Sequence, residues 1–261
     1  MTHPSSPLDR RQTVELLGVP LWRATEAQVV DEVSSELAAA RGGWLCPVNL
    51  DVLRQIHASD EIRTLVSHAD LMVADGMPLL WASRLAGKPL PERVAGSTLV
   101  TTLCAEAARS SAGVYLLGGN PGTADAAGAR LVQQLPGLRI VGTHCPPFGF
   151  ENDDAAMAAM VAAMVEAAPS VVFVGLGFPK QDRLIQELRT HLPAAWFVSC
   201  GISFSFVSGE IGRAPRWVQK LGFEWVHRMA QEPQRLFRRY VVDGIPFLAV
   251  LGRASLAQRR R

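Results

Sequence analysis

Residues 170–201, SVVFVGLGFPKQDRLIQELRTHLPAAWFVSCG, decide the fold. The run 170–177 is apolar and nearly unbroken, the pattern of a strand covered on both faces. Gly177 and Pro179 force a tight turn, and Lys180, Gln181 and Asp182 then open a helix. AAWFVSCG (194–201) follows as a second buried strand. A strand, helix and strand in this order form the unit of a parallel sheet, whose neighbours need a crossover between them.

The same alternation extends toward the N-terminus. Strands are predicted at 44–50 (WLCPVNL), 70–76 (DLMVADG), 114–119 (VYLLGG) and 138–144 (LRIVGTH). Helices are predicted at 25–43, with Thr25 as N-cap and Gly42–Gly43 as its end, then in a segment ending near His68. More follow at 77–87, 98–111, 121–135 and 151–168, the last with an acidic first turn that suits the helix dipole. The expectation is an α/β, Rossmann-like layered fold, a mostly parallel sheet flanked by helices, followed by a basic helical C-terminal appendage. Residues 1–12 read as a disordered N-terminus, 13–212 as the α/β core and 213–261 as the appendage. Sheets of this kind bind ligands at the carboxyl ends of their strands. Asn49, Asp75–Gly76, Gly118–Gly119, Gly175–Gly177 and Gly201 all fall there.

The composition, 48% hydrophobic and 19% charged over 261 residues, supplies a large core. The four cysteines form no CxxC pair, which argues against a zinc site or disulfide framework and fits a reducing cytosol. No signal peptide is read at the N-terminus, and no apolar run reaches about 18 residues. VVDGIPFLAVL (241–251) carries Asp243 and Pro246, so membrane contact is expected to be peripheral. Charge is unevenly placed. Residues 213–261 hold eleven Arg/Lys against three acids, about +8, which leaves about −6 for residues 1–212 of the +2 total. Trp217, Phe223, Trp225, Phe237 and Tyr240 are interleaved with those cations. The pattern points to an anionic membrane surface rather than to nucleic acid, for which the fold has no recognised module.

Asp75 ends an apolar strand and suits a general base at the sheet edge, although an Asp-Gly turn accounts for the same letters. Arg93 precedes a helix start at Gly96–Ser97, where a diphosphate or bulk solvent would suit it equally. YLLGGNPGTADAAGARL (115–131) is a Gly-rich strand-to-helix turn, yet it is neither GxGxxG nor a Walker loop. Gln181 could donate to sugar hydroxyls or phosphate oxygens, or simply belong to a helix-capping turn. There is no HExxH, GxSxG, clustered His/Cys set or DxD, so neither a metal nor a cofactor is expected. An NAD(P)-dependent oxidoreductase fits the layered sheet but lacks its glycine fingerprint and ribose-binding acid.

Together these stretches resemble the WecG/TagA/CpsF glycosyltransferase family. The match runs through Asn49, VADGMPL (73–79), GKPLPERVAGSTL (87–99), YLLGGNPGTA (115–124), PPFGFE (146–151) and VFVGLGFPKQD (172–182). It continues through GISFSFVSGEIGRAPRW (201–217) and EWVHRMAQEPQRLFRR (224–239), covering about residues 14 to 248. The resemblance implies an inverting transfer of a sugar from a UDP-sugar to a polyprenyl-diphosphate-linked acceptor at the cytoplasmic face of the inner membrane. It implies Asp75 as catalytic base, with Asn49, Arg93, Gln181, Gly118, Gly119 and Gly177 around the donor and its diphosphate. Arg213, Arg228, Arg235, Arg238 and Arg239 match an appendage that closes over the site. Oligomeric state stays open, a homo-oligomer included. The chain departs from the family at Pro47-Val48-Asn49, at Phe148 where PPYG is common, and at Phe204-Ser205-Phe206 where FDF is common. Donors other than UDP-N-acetylmannosamine are therefore open. A catalytically inactive, membrane-docked scaffold is the other alternative, and the retained Asp75, Asn49, Arg93 and Gln181 argue against it.

Overall fold

The structure is a computed structural model that describes residues 13–212, 214, 215, 218 and 224–260, without the side chain of Arg235. Arg213, Trp217 and Phe223 lie outside the described residues. A six-stranded sheet has the order β4-β3-β8-β7-β5-β6. Its strands are β3 (Gly43–Val48), β4 (Leu71–Ala74), β5 (Gly113–Gly118), β6 (Arg139–His144), β7 (Val171–Gly175) and β8 (Trp196–Ser199). The ladders β3–β8, β8–β7, β7–β5 and β5–β6 are parallel. Every residue of β3, β4, β5, β7 and β8 is buried, which explains their unbroken apolar runs. The edge strand β6 is only half-buried and reads accordingly as mixed.

The described residues form two compact units, and the chain returns to the first at 213, where its composition changes. The second unit draws on 27–46 and 96–212. Its helices are α1 (Glu26–Ala38, entering from the first unit), α5 (Gly96–Ser110), α6 (Thr123–Gln134), α7 (Asp154–Ala167), α8 (Lys180–His191) and α9 (Ser203–Ser208). Trp44, Phe173, Phe197 and Phe204 are wholly buried and fill its centre. Phe204 lies against Gly175, and a Cβ at Gly118 would meet the Gly175 carbonyl oxygen at 2.6 Å. Gly118 is there because two backbones touch.

The first unit draws on 1–26, 47–95 and 213–261. A hairpin of β1 (Thr13–Leu16) and β2 (Val19–Trp22) opens its described part. Its two-residue turn has positive φ at both Leu17 (50°) and Gly18 (81°), the handedness that matches strand twist. Sequence reading had no strand here, because Leu is a poor signal for a turn of this kind. The segment that ends near His68 holds two helices, α2 (Leu50–Ala58) and α3 (Asp60–Val66). Ser59 breaks it, and its hydroxyl caps α3 by accepting from the Ile62 N–H at 3.3 Å. α4 (Met77–Leu85) follows β4. The C-terminal part contains α10 (Glu224–Gln231), α11 (Pro233–Phe237), a π-helical turn Arg238–Gly244 and α12 (Ile245–Arg259).

Arg238–Arg259 forms a 22-residue helical stretch that is long and apolar enough to cross a membrane by length and composition only. The stretch nevertheless packs within the first unit. α12 lies on α4 and β1, burying Phe247, Leu251 and Ser255 at four-residue intervals.

Candidate functional site

In the first unit, the ends of β3 and β4 place three of the expected residues together. The Asp75 N–H donates to the Val48 carbonyl at 2.8 Å, which sets Asp75 beside Asn49. The Val94 N–H donates to the Ala74 carbonyl at 2.9 Å, which sets Arg93 on the other flank of the same strand end. Asp75 is half-buried. Gly76 follows at φ 151° and is the N-cap of α4, so the chain turns sharply and the carboxylate stays at the sheet's open end.

Asn49 is the N-cap of α2. Its Oδ1 accepts from the Asp51 and Val52 N–H groups, each at 3.0 Å. That engagement fixes the side-chain amide and leaves Nδ2 as the group able to donate to a ligand. Arg93 is paired with Glu224 at 2.6 Å, and both side chains are less than a fifth exposed, at 18% and 17%. An arginine expected at a diphosphate thus has an acid of α10 at its guanidinium. Arg239 makes the companion contact, Nε to Asp51 Oδ2 at 3.0 Å. Asp51 also accepts from Arg54 at 2.8 Å and from Gln55 at 3.0 Å. Arg228 is half-buried and Arg238 exposed. Glu224 and Asp51 were not picked out from sequence. Their partners lie 131 and 188 positions away along the chain, so no local pattern marks them.

In the second unit, the loops after β5, β7 and β8 carry the remaining expected residues. Gln181 is buried, and its Oε1 accepts from the Gly177 N–H at 3.2 Å and the Gly201 N–H at 3.1 Å. It ties the loop after β7 to the loop after β8. Gln181→Ala leaves both N–H groups without that acceptor, and an unsatisfied buried donor costs about 1–3 kcal/mol. We expect a loss of about that size in urea unfolding. An unchanged unfolding midpoint would show that water replaces the clamp.

Beside it, Asp182 is wholly buried. Its Oδ1 accepts from the Ser199 hydroxyl at 2.7 Å and from the Cys46 thiol at 3.8 Å. Ser199 in turn accepts from Trp44 Nε1 at 3.0 Å. Burial pushes the Asp182 carboxyl up to about 7, against the pull of Ser199, Gln181 and Cys46. Burial and the adjacent Asp182 also hold the Cys46 thiol well above its usual range. Sequence reading placed Asp182 only as part of a helix start.

Gly118 and Gly119 both have positive φ, 107° and 82°, at the head of the turn into α6. The Cys145 thiol donates to the Gly119 carbonyl at 3.3 Å, and the loop beyond it carries Phe148, wholly exposed. Lys180 pairs with Glu151 at 2.8 Å and stands 4.8 Å from the Phe150 ring centre and 5.5 Å from that of Phe148. Among the described residues no group of three or more His, Cys, Asp or Glu is arranged to hold a metal ion.

The chain is 30% identical, over 195 residues, to an N-acetylglucosaminyldiphosphoundecaprenol N-acetyl-beta-D-mannosaminyltransferase of Bacillus spizizenii (strain ATCC 23059 / NRRL B-14472 / W23). That similarity covers 75% of this chain and 74% of the relative. The family model described as "Glycosyl transferase WecG/TagA/CpsF family" matches residues 14–261. With a matching family model over nearly its whole length, and motifs that stand where the sheet ends require them, this chain belongs to the WecG/TagA/CpsF family of glycosyltransferases.

Proposed function

We propose that the protein moves a hexose-type sugar from a UDP-sugar, with inversion, to a polyprenyl-diphosphate-linked saccharide during assembly of a bacterial surface polysaccharide. The observation that carries this reading is the grouping of Asp75, Asn49 and Arg93 at the ends of β3 and β4. An inverting displacement needs a base for the proton of the attacking hydroxyl, and Asp75 is the carboxylate at that position. Negative charge develops on the β-phosphate as UDP leaves. Arg93 stabilises it when its guanidinium turns from Glu224 to the phosphate. The Asn49 amide, fixed by its capping bonds, supplies a donor for the sugar or phosphate. The relative's name specifies a diphosphoundecaprenol-linked acceptor, which suits a transferase working at a lipid surface.

The C-terminal helix fits such a surface. Val242, Ile245, Ala249 and Leu256 are exposed at helical spacing, opposite the buried Phe247, Leu251 and Ser255. Exposed Arg238, Arg253, Arg259 and Arg260 add cations along the same stretch. Each Lys or Arg near an anionic leaflet contributes about 1 kcal/mol, screened by salt. The enzyme then works from the cytoplasmic face as a peripheral protein.

The test is a panel of UDP-sugars given to the purified full chain. The mixture contains anionic vesicles and a polyprenyl diphosphate N-acetylglucosamine acceptor, and both released UDP and glycolipid are measured. One UDP-sugar is expected to yield glycolipid and UDP in equal amounts. Absence of glycolipid product across the panel would overturn the reading.

A further inference from the structure

Two helices of the first unit, far apart in sequence, lie side by side and share one chemical character. α12 packs on α4, and a Cβ at Gly87, just past the end of α4, would stand 3.6 Å from Arg259 Cγ. The C-terminal ends of the two helices therefore meet. On α4, Trp81 and Leu85 are exposed one helical turn apart. On α12, Ile245 and Leu256 are exposed as well. Large apolar side chains turned outward on neighbouring helices mark a contact surface.

The charge on the pair has a single sign. Residues 77–91 and 244–261 contain no acid. Arg84 and Lys88 in the first segment are exposed, and so are Arg253, Arg259 and Arg260 in the second. The backbone that carries Lys88 is held firmly. The Ser83 hydroxyl donates to the Leu80 carbonyl at 2.8 Å and accepts from the Leu90 N–H at 3.0 Å. Arg23 Nε donates to the Pro89 carbonyl at 3.0 Å.

That charge decides what covers the face. A second copy docked about a two-fold axis would set these cations against their own kind, with no acid to pair them. A nucleic acid would leave Leu85, Ile245 and Leu256 without a partner. An anionic bilayer takes both features: headgroup phosphates for the cations, and the acyl boundary for the tryptophan and aliphatic side chains.

We propose that α4 is a second membrane-docking helix, outside the C-terminal segment, which seats the turn at Asp75 on the bilayer. The inference rests on the lipid-surface reading above. α4 begins two residues after Asp75, so Asp75 and the docking residues belong to one short element. At 1.5 Å per residue, Trp81 lies about 6 Å along the axis from Met77. A docked α4 sets the height of the β4 end above the headgroups, where a lipid-linked acceptor presents its sugar.

The experiment is flotation of the full chain on vesicles of phosphatidylcholine alone and of phosphatidylcholine mixed with phosphatidylglycerol. Wild-type protein is expected to partition onto the anionic vesicles about tenfold or more in excess of the neutral ones. Arg84→Glu with Lys88→Glu should cut that partitioning about tenfold or more. Trp81→Ser with Leu85→Ser should cut it about tenfold at unchanged charge. Both variants should keep wild-type UDP affinity by calorimetry, raise the KM for acceptor in vesicles and leave the KM for acceptor in detergent unchanged. Trp81→Phe, which preserves packing, should lose part of the tryptophan quenching by brominated phosphatidylglycerol.

Wild-type partitioning in both double variants overturns the proposal and confines docking to α12. Undiminished quenching in Trp81→Phe also overturns it, whatever the folding of the other variants. A dimer in sedimentation that dissociates on the Leu85 change would overturn it in favour of a contact between copies. Failure of the wild type to float on anionic vesicles overturns it too. Sugar transfer to detergent-solubilised acceptor by that same preparation would then leave the transferase reading standing.

Discussion

Asp75→Asn lowers kcat by about a hundred- to ten-thousandfold, the range for loss of a positioned general base, and leaves UDP affinity within about threefold. The change is isosteric, so the turn at Gly76 and the bond from the residue 75 N–H to the Val48 carbonyl are preserved. An amide cannot take the proton of the attacking hydroxyl, and the defect therefore belongs to the chemical step. It should appear as slow single-turnover formation of glycolipid with normal UDP binding by calorimetry. Loss of both binding and turnover would make Asp75 a donor-binding residue. Full retention of turnover would place the base elsewhere, and Asp51 would then be the next carboxylate to replace, since it lies two residues after Asn49.

Asp182→Asn removes most of the acid-side pH dependence of stability. An ordinary Asp titrates near 3.8, and burial among Cys46, Ser199 and Gln181 raises this one to about 7. Between those values the folded state keeps a proton that the unfolded chain has released. Stability therefore falls as pH rises from about 4 to about 7 and levels off above. A shift of three units corresponds to about 4 kcal/mol at most. The asparagine resembles the protonated carboxyl in shape and charge, and its oxygen still accepts from Ser199 and Cys46. We expect the variant to match the wild type near pH 3.5 and to exceed it by about 2–4 kcal/mol near pH 8.5, in urea unfolding at the two pH values. A variant less stable than wild type at pH 8.5 would mean that the native carboxylate is ionised and held by its donors.

Much of the layered fold was legible along the chain. β5, β7 and β8 announce themselves by unbroken apolar runs, because a strand covered on both faces has no polar positions to offer. α7 was legible except for its start, where Phe150–Asn152 forms a 3-10 turn and Asp153 caps the helix through the N–H groups of Ala155 and Ala156. The hairpin β1–β2 was not legible, because Leu17 adopts a left-handed conformation that its side chain gives no reason to expect. The helical stretch Arg238–Arg259 was underestimated because Asp243 and Pro246 interrupt the apolar letters, while the backbone passes through both as π- and α-helix.

At the site, sequence by itself determined which residue types stand at the carboxyl ends of the strands. Asp75, Asn49, Gln181 and the Gly118–Gly119 turn are marked by their position between an apolar run and a helix start, which is local information. Tertiary structure alone decided what those residues do with their polar atoms. It turned the Asn49 oxygen to the α2 end, the Gln181 oxygen to two backbone N–H groups and the Arg93 guanidinium to Glu224. It also delivered Glu210 to Asn120 and Thr123 across 90 and 87 positions, and Ser199 to Trp44 across 155. The reason is physical: strand and helix formation follow from neighbours a few residues apart, whereas a side-chain partner is chosen by whichever segment the packed core brings within hydrogen-bond reach.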